Sequence, residues 1–192
     1  MKSILPLLVP ALLLAVPSPV PQPALPQTEA TMRSTHKVTP FLWFDDDAEE
    51  AIRFYCSLLP DSRILSESRW GPGGPVPAGA LMGARFQLAG QEFMVLNGGP
   101  TYRLNEAFSI YVDCETQAEV DELWARLLQG GGEESRCGWL KDRFGVSWQI
   151  IPSCLPAMLS DMDPARAGRV GAAMMGMQKL DIAKLKEAHE GR

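Results

Sequence analysis

The sequence predicts an α+β fold in which paired βαβββ modules form a curved mixed sheet, followed by a C-terminal helical tail. Three observations predict it. Strand and helix patterns occur in the order strand, helix, three strands, and that order occurs twice. An offset of 68 residues brings the copies into register, matching Leu42 with Ile110, Trp43 with Tyr111, Ile52 with Val120 and Leu59 with Leu127. Beyond Pro152 the composition turns helical.

Each element has a local reason. Lys37–Phe44 is a short run of aromatic and β-branched residues bounded by charge, as a strand requires. Asp45-Asp46-Asp47 supplies candidate N-caps, and Glu49 and Glu50 follow in the first turn, where the helix dipole favours anions. Ala48, Ala51, Ile52, Tyr55, Leu58 and Leu59 then recur at spacings of three and four, giving one apolar helix face that Pro60 ends. Arg63–Trp70 reads as a strand and Gly71–Gly79 as a loop. Ala80–Ala89 and Gln91–Asn97 form a hairpin about Gly90.

In the second copy, Phe108–Asp113 is the strand and Thr116 with Glu119 makes a capping box. The helix carries Val120, Leu123, Trp124, Leu127 and Leu128 on one face and stops at Gly130-Gly131-Gly132. Glu133–Cys137, Gly138–Arg143 and Val146–Pro152 complete three strands. Pro156–Ser160, Pro164–Met177 and Lys179–Glu190 are the expected tail helices, with Met158, Met162, Met174, Met175 and Met177 suited to packing. The domain therefore spans 37–153 and the helical extension 154–192.

Composition narrows the function. The formal charge is −5, which argues against nucleic acid as a partner, because that contact needs clustered positive charge. Seven of the sixteen prolines lie in residues 1–30. There Lys2 precedes the apolar run Ile4–Val16 and a proline-rich stretch follows, so 1–30 reads as a signal peptide and leader, too short to span a bilayer. On that reading the protein is exported, periplasmic or secreted, without stable membrane anchoring. If Met32 is the true start it is cytoplasmic. Cys56, Cys114, Cys137 and Cys154 contain no C-x-x-C pair; they are buried thiols or, in an exported protein, a disulfide pair. With only His36 and His189, a histidine-rich metal site or Ser/His/Asp triad is hard to build.

Strand alternation separates a helix-packing face from a mixed polar–apolar face. Ser109, Tyr111 and Asp113 form the second phase of one strand, and Ser147, Gln149 and Ile151 that of another. A curved sheet could enclose the mixed face as a cup for a small-molecule ligand. Its expected lining is Phe44, Asn97, Ser109, Tyr111, Trp139, Lys141, Ser147 and Gln149, with amides and hydroxyls suited to an oxygenated or quinone-like molecule. Lys141 or Asp142 serves as acid or base if burial shifts its pKa, and is otherwise a surface pair.

Several stretches carry a family resemblance. They are Thr39–Asp45 (TPFLWFD), Ala48–Tyr55, Gly90–Pro100, Glu119–Asp121, Cys137–Pro152 and Met177–Ile182. Together they resemble the PhnB-like group, often labelled 3-demethylubiquinone-9 3-methyltransferase, of the vicinal oxygen chelate superfamily with the glyoxalase/bleomycin-resistance/dioxygenase fold. The resemblance covers roughly residues 37–189. It implies that fold, a homodimer, and either a binding protein or a glyoxalase- or dioxygenase-type enzyme acting on a small oxygenated substrate. Metal-using members would place ligands at Pro40, near Phe93, at Ala107 and at Gln149, of which only Gln149 carries a donor. No cofactor or metal is therefore expected. S-adenosylmethionine chemistry is disfavoured as well, because no glycine cluster stands between a strand and a helix start.

Overall fold

The computed structural model describes residue 34 and residues 36–192; the signal-peptide reading of 1–30 lies outside the described residues. The first module contains β1 (Phe41–Phe44), α1 (Ala48–Leu58), β2 (Arg63–Arg69), β3 (Leu81–Leu88) and β4 (Gln91–Asn97). The second contains β5 (Ser109–Cys114), α2 (Gln117–Leu127), β6 (Glu133–Glu134), β7 (Trp139–Lys141) and β8 (Ser147–Pro152). Three tail helices follow: α3 (Cys154–Leu159), α4 (Pro164–Met175) and α5 (Ile182–Glu190).

The two modules have the same topology, with strand order β1-β4-β3-β2 in one sheet and β5-β8-β7-β6 in the other. In each, the first strand pairs parallel with the last and the remaining pairs are antiparallel. One face of each sheet carries the helix. Leu42, Ala84, Phe86 and Val95 of the first sheet and Ile110, Val112, Trp148 and Ile150 of the second share one hydrophobic core with both helices. Tyr55 of α1 joins the modules, its ring 5.4 Å from Trp148 and 5.9 Å from Phe144.

Several boundaries differ from expectation, each for a local reason. The first strand begins only at Phe41, because Pro40 has no N–H for the ladder, although its carbonyl accepts from Met94. Of the three candidate aspartates, Asp47 occupies the N-cap position of α1 but makes no side-chain capping bond. Instead, Asn97 at the end of β4 accepts the Ala48 N–H at 2.9 Å and donates to the Leu81 carbonyl at 3.1 Å. At α2 the Thr116 hydroxyl accepts the Glu119 N–H as the capping box requires, whereas the Glu119 carboxylate reaches one residue further back, to Glu115 N–H. β6 is only two residues long. Beyond it Cys137 and Gly138 adopt left-handed φ of 58° and 84°, and their N–H groups donate to Met177 and Gln178 of the tail.

The tail builds a second small core from Leu155, Val170, Leu180 and Leu185 packed on Ile151 of β8. His189 near its end bonds Asp161 at 2.7 Å, which closes α5 on the α3–α4 turn. No disulfide forms among the described residues. Cys114 is buried, and desolvation pushes its thiol up to about 12, which makes it inert.

A surface network on the first module gives an acid-stability prediction. Arg69 donates twice to Glu49 and Arg53 once, which holds the Glu49 carboxyl down at about 2 from its ordinary 4.5. A lowered folded-state value means the network stabilises fully above the unfolded pKa and loses its contribution as pH falls through about 2. Glu49→Gln is expected to lower the melting temperature near neutrality and to converge with the parent protein in acid. Parallel melting curves across that range would count against the network.

Candidate functional site

The faces turned away from the shared core are the candidate site. On the second sheet, strand register fixes which side chains stand together. Glu133, Lys141, Ser147 and Ser109 form one row across β6, β7, β8 and β5. The next row is Trp139, Gln149 and Tyr111. Six residues expected from sequence to line the cup are therefore neighbours on one face: Ser109, Tyr111, Trp139, Lys141, Ser147 and Gln149. A third row, Asp113 and Ile151, lies at the end where the tail core covers Ile151.

Phe44 and Asn97 are not part of that face, and this corrects the expectation. They pair with each other in register on the helix side of the first sheet. Phe44 is core, and the Asn97 amide is consumed by its helix-capping bonds. The outer face of the first sheet instead presents Phe41 and Trp43 from β1, Met94 and Leu96 from β4, and an Arg85–Glu92 ion pair at 2.9 Å. The 68-residue offset could have found Trp43, since it matches Trp43 with Tyr111. His36 reaches this face too, its imidazole 4.0 Å from the Glu92 carboxylate.

The chemistry of the second face is concentrated around Lys141. Its ammonium ion-pairs with Glu106 from the segment before β5, which holds the Glu106 carboxyl below the usual carboxylate range. Gln149 donates to the Ser109 hydroxyl at 2.8 Å. The Ser147 hydroxyl is buried and has no hydrogen-bond partner among the described residues. Trp139, Lys141, Ser147, Glu106 and Glu133 line a cavity of about 150 Å³. Partial burial, with Asp113 second, raises the pKa of Tyr111.

Lys141 and Asp142 do not form a surface pair. Lys141 faces outward, whereas Asp142 is 3% exposed and turned into the core. Its carboxylate accepts from Tyr55 O–H at 2.8 Å, Trp148 Nε1 at 2.9 Å, Phe144 N–H at 2.9 Å and Val146 N–H at 3.0 Å. Desolvation raises its pKa against the pull of these bonds. With its oxygens engaged by core groups, Asp142 positions structure; it has no path to a ligand on the outer face.

A transition metal does not fit the residues present. Pro40 and Ala107 have no side-chain donor, Phe93 packs on Phe86 in the core while its neighbour Glu92 is ion-paired with Arg85, and the Gln149 amide is bonded to Ser109. Among the described residues, no group of three or more His, Cys, Asp or Glu side chains converges.

The family model described as 3-demethylubiquinone-9 3-methyltransferase matches residues 36–151. The chain belongs to this PhnB-like family. A solved structure described as a 3-demethylubiquinone-9 3-methyltransferase, PhnB protein, from Bacillus cereus is 40% identical, with a TM-score of 0.56, over 59% of this chain and 97% of that one. A protein from Pseudomonas aeruginosa is 24% identical at a TM-score of 0.48, covering 59% and 95% of the two chains. The fosfomycin resistance protein FosX of Listeria monocytogenes is 12% identical at 0.41, covering 60% and 91%. No curated protein matches significantly. The family match ends at residue 151, so the tail helices lie beyond it.

The PhnB-like fold does not support the methyltransferase in the family's label. Its strand-to-helix turns among the described residues are Asp45-Asp46-Asp47, Glu115-Thr116 and Ser153, none of which has a glycine to let a cofactor approach the backbone.

Proposed function

We propose that this PhnB-like chain binds a small oxygenated molecule on the outer face of its second module, and that a second copy covers the bound molecule with the outer face of its first module. The observation that carries the reading is that both outer faces are open while both helix faces are spent on the shared core. Phe41 on one and Tyr111 on the other are 51% and 50% exposed, and β1 and β5 leave free sheet edges among the described strands. Open edges and exposed aromatic rings are features that sheets normally cover. Polar Ser109, Lys141, Ser147 and Gln149 would face the apolar Phe41, Trp43, Met94 and Leu96, the mixture typical of a small-molecule pocket.

Light scattering after size-exclusion chromatography tests the assembly, with a dimer expected for the parent protein and a monomer for Phe41→Asp. A thermal-shift panel of small hydroxy, keto and quinoid compounds tests binding, with stabilisation expected from at least one compound and none from divalent metals. A monomeric parent, or stabilisation by a metal alone, would overturn the reading. The basic, apolar and proline-rich order of residues 1–30 supports export, and recovery of a protein lacking that leader outside the cytoplasm is the corresponding expectation.

A further inference from the structure

We infer that the second-module cavity selects a carboxylate-bearing small molecule, and that Glu106 occupies the carboxylate position until the ligand displaces it. The inference deepens the proposed binding function and rests on it. Three observations meet at this point. Lys141, about one-third exposed, lines the cavity together with Glu106, whose carboxylate pairs with its ammonium. Glu106 is itself 65% exposed, and it comes from the segment between the modules, outside the sheet. Beside Lys141 in the same row stands Ser147, which also lines the cavity; it is only 2% exposed, and its buried hydroxyl has no hydrogen-bond partner among the described residues.

A buried hydroxyl left without a partner costs free energy, so the fold retains an unmet polar group next to a cation. Glu106 satisfies Lys141 but not Ser147. A ligand carboxylate, with two acceptor oxygens, can take both the ammonium and the hydroxyl at once.

Net charge requires that a carboxylate ligand exchange with Glu106 rather than add to it. Glu133 flanks Lys141 on β6, and Glu134, also at the cavity wall, accepts from Trp124 Nε1. A free anion would be repelled by this surplus of carboxylates. The site nevertheless already holds one carboxylate on Lys141, and a ligand that replaces Glu106 leaves the count around the ammonium unchanged. Because the Lys141–Glu106 pair is solvent-exposed on one side, it is weak enough to exchange. Trp139 adds a flat wall beside the cation, which favours a carboxylate attached to a planar group.

The test uses benzoate as the probe and benzamide as its uncharged isostere, titrated into the full protein and read from the Trp139 indole and Ser147 amide resonances. Benzoate is expected to shift both signals and benzamide neither. Glu106→Gln removes the internal competitor and should tighten benzoate binding roughly two- to fivefold. Ser147→Ala should weaken it about fivefold. Lys141→Met should abolish it. A gain of affinity on substitution of Glu106 cannot come from misfolding, which keeps the set informative even where Lys141→Met disturbs the sheet. Equal binding of benzoate and benzamide, or an unchanged benzoate affinity in Glu106→Gln, would overturn the carboxylate inference. The proposed function would survive that result if a neutral oxygenated compound shifts the same resonances, and would fall with it if no compound shifts them.

Discussion

Asp142→Ala is expected to destabilise the protein by about 2–5 kcal/mol, because each buried donor left without an acceptor costs about 1–3 kcal/mol and relief of the buried charge offsets part of the sum. The carboxylate accepts two side-chain and two backbone hydrogen bonds, from Tyr55, Trp148, Phe144 and Val146. Its loss strands four buried donors, among them the Tyr55 phenol that links α1 of the first module to the second-module core. Chemical denaturation gives the magnitude directly. The pH dependence gives the sign. Burial raises the Asp142 pKa above its ordinary 3.8, so the folded state holds the proton more tightly than the unfolded chain does. The contribution is therefore fully present below the unfolded value and declines as pH rises through the folded one, opposite in sense to that of Glu49. Asp142→Asn keeps the shape and should remove this decline, at the cost of setting an amide N–H against groups that are themselves donors. A loss below about 1 kcal/mol for Asp142→Ala would show that the network is not a keystone of the module interface.

Gly138→Ala is expected to cost about 2–4 kcal/mol and to release the tail. Gly138 has a left-handed φ of 84°, which a Cβ makes unfavourable by about 1–2 kcal/mol. The added carbon would also lie 2.9 Å from Ile150 O, Ile151 Cδ1 and Leu180 Cδ1. Overpacking of that kind costs about 1–3 kcal/mol where the surroundings cannot yield. The contacts span β8 and the tail, so relief requires Leu180 to leave Ile151 and the small core of Leu155, Val170 and Leu185 to loosen. Limited proteolysis should then cut between residues 154 and 190 in the variant well before the parent protein. A variant that loses stability without earlier tail cleavage would place the strain in the sheet alone.

How far the sequence carries is clearest from particular residues. The strand–helix–three-strand order and its repetition were legible because they depend on local periodicity and turn chemistry. Phe108–Asp113 alternates cleanly, and α2 begins where Thr116 and Glu119 announce it. The shared face of Ser109, Tyr111, Ser147 and Gln149 was legible for the same reason, since a period of two assigns each to a face. Phe44 and Asn97 were misplaced because each sits at a strand end. There a single residue of phase decides the face, and in the first module both phases of β1 are apolar. The Asn97 cap on Ala48 spans 49 residues, and no local pattern encodes such a bond.

By itself, the sequence determined the family, the paired modules and the residues of the polar row around Lys141. Those properties follow from residue identity and short-range spacing. Tertiary structure decided the rest: that Lys141 and Asp142, adjacent in the chain, serve opposite faces, that Glu106 reaches Lys141, that Ser147 is buried without a partner, and that the tail folds over Ile151. Each of these depends on which distant surfaces exclude water from a side chain. Burial is a property of the packed chain, and it makes Asp142 a core anchor while leaving its neighbour Lys141 on the outer face.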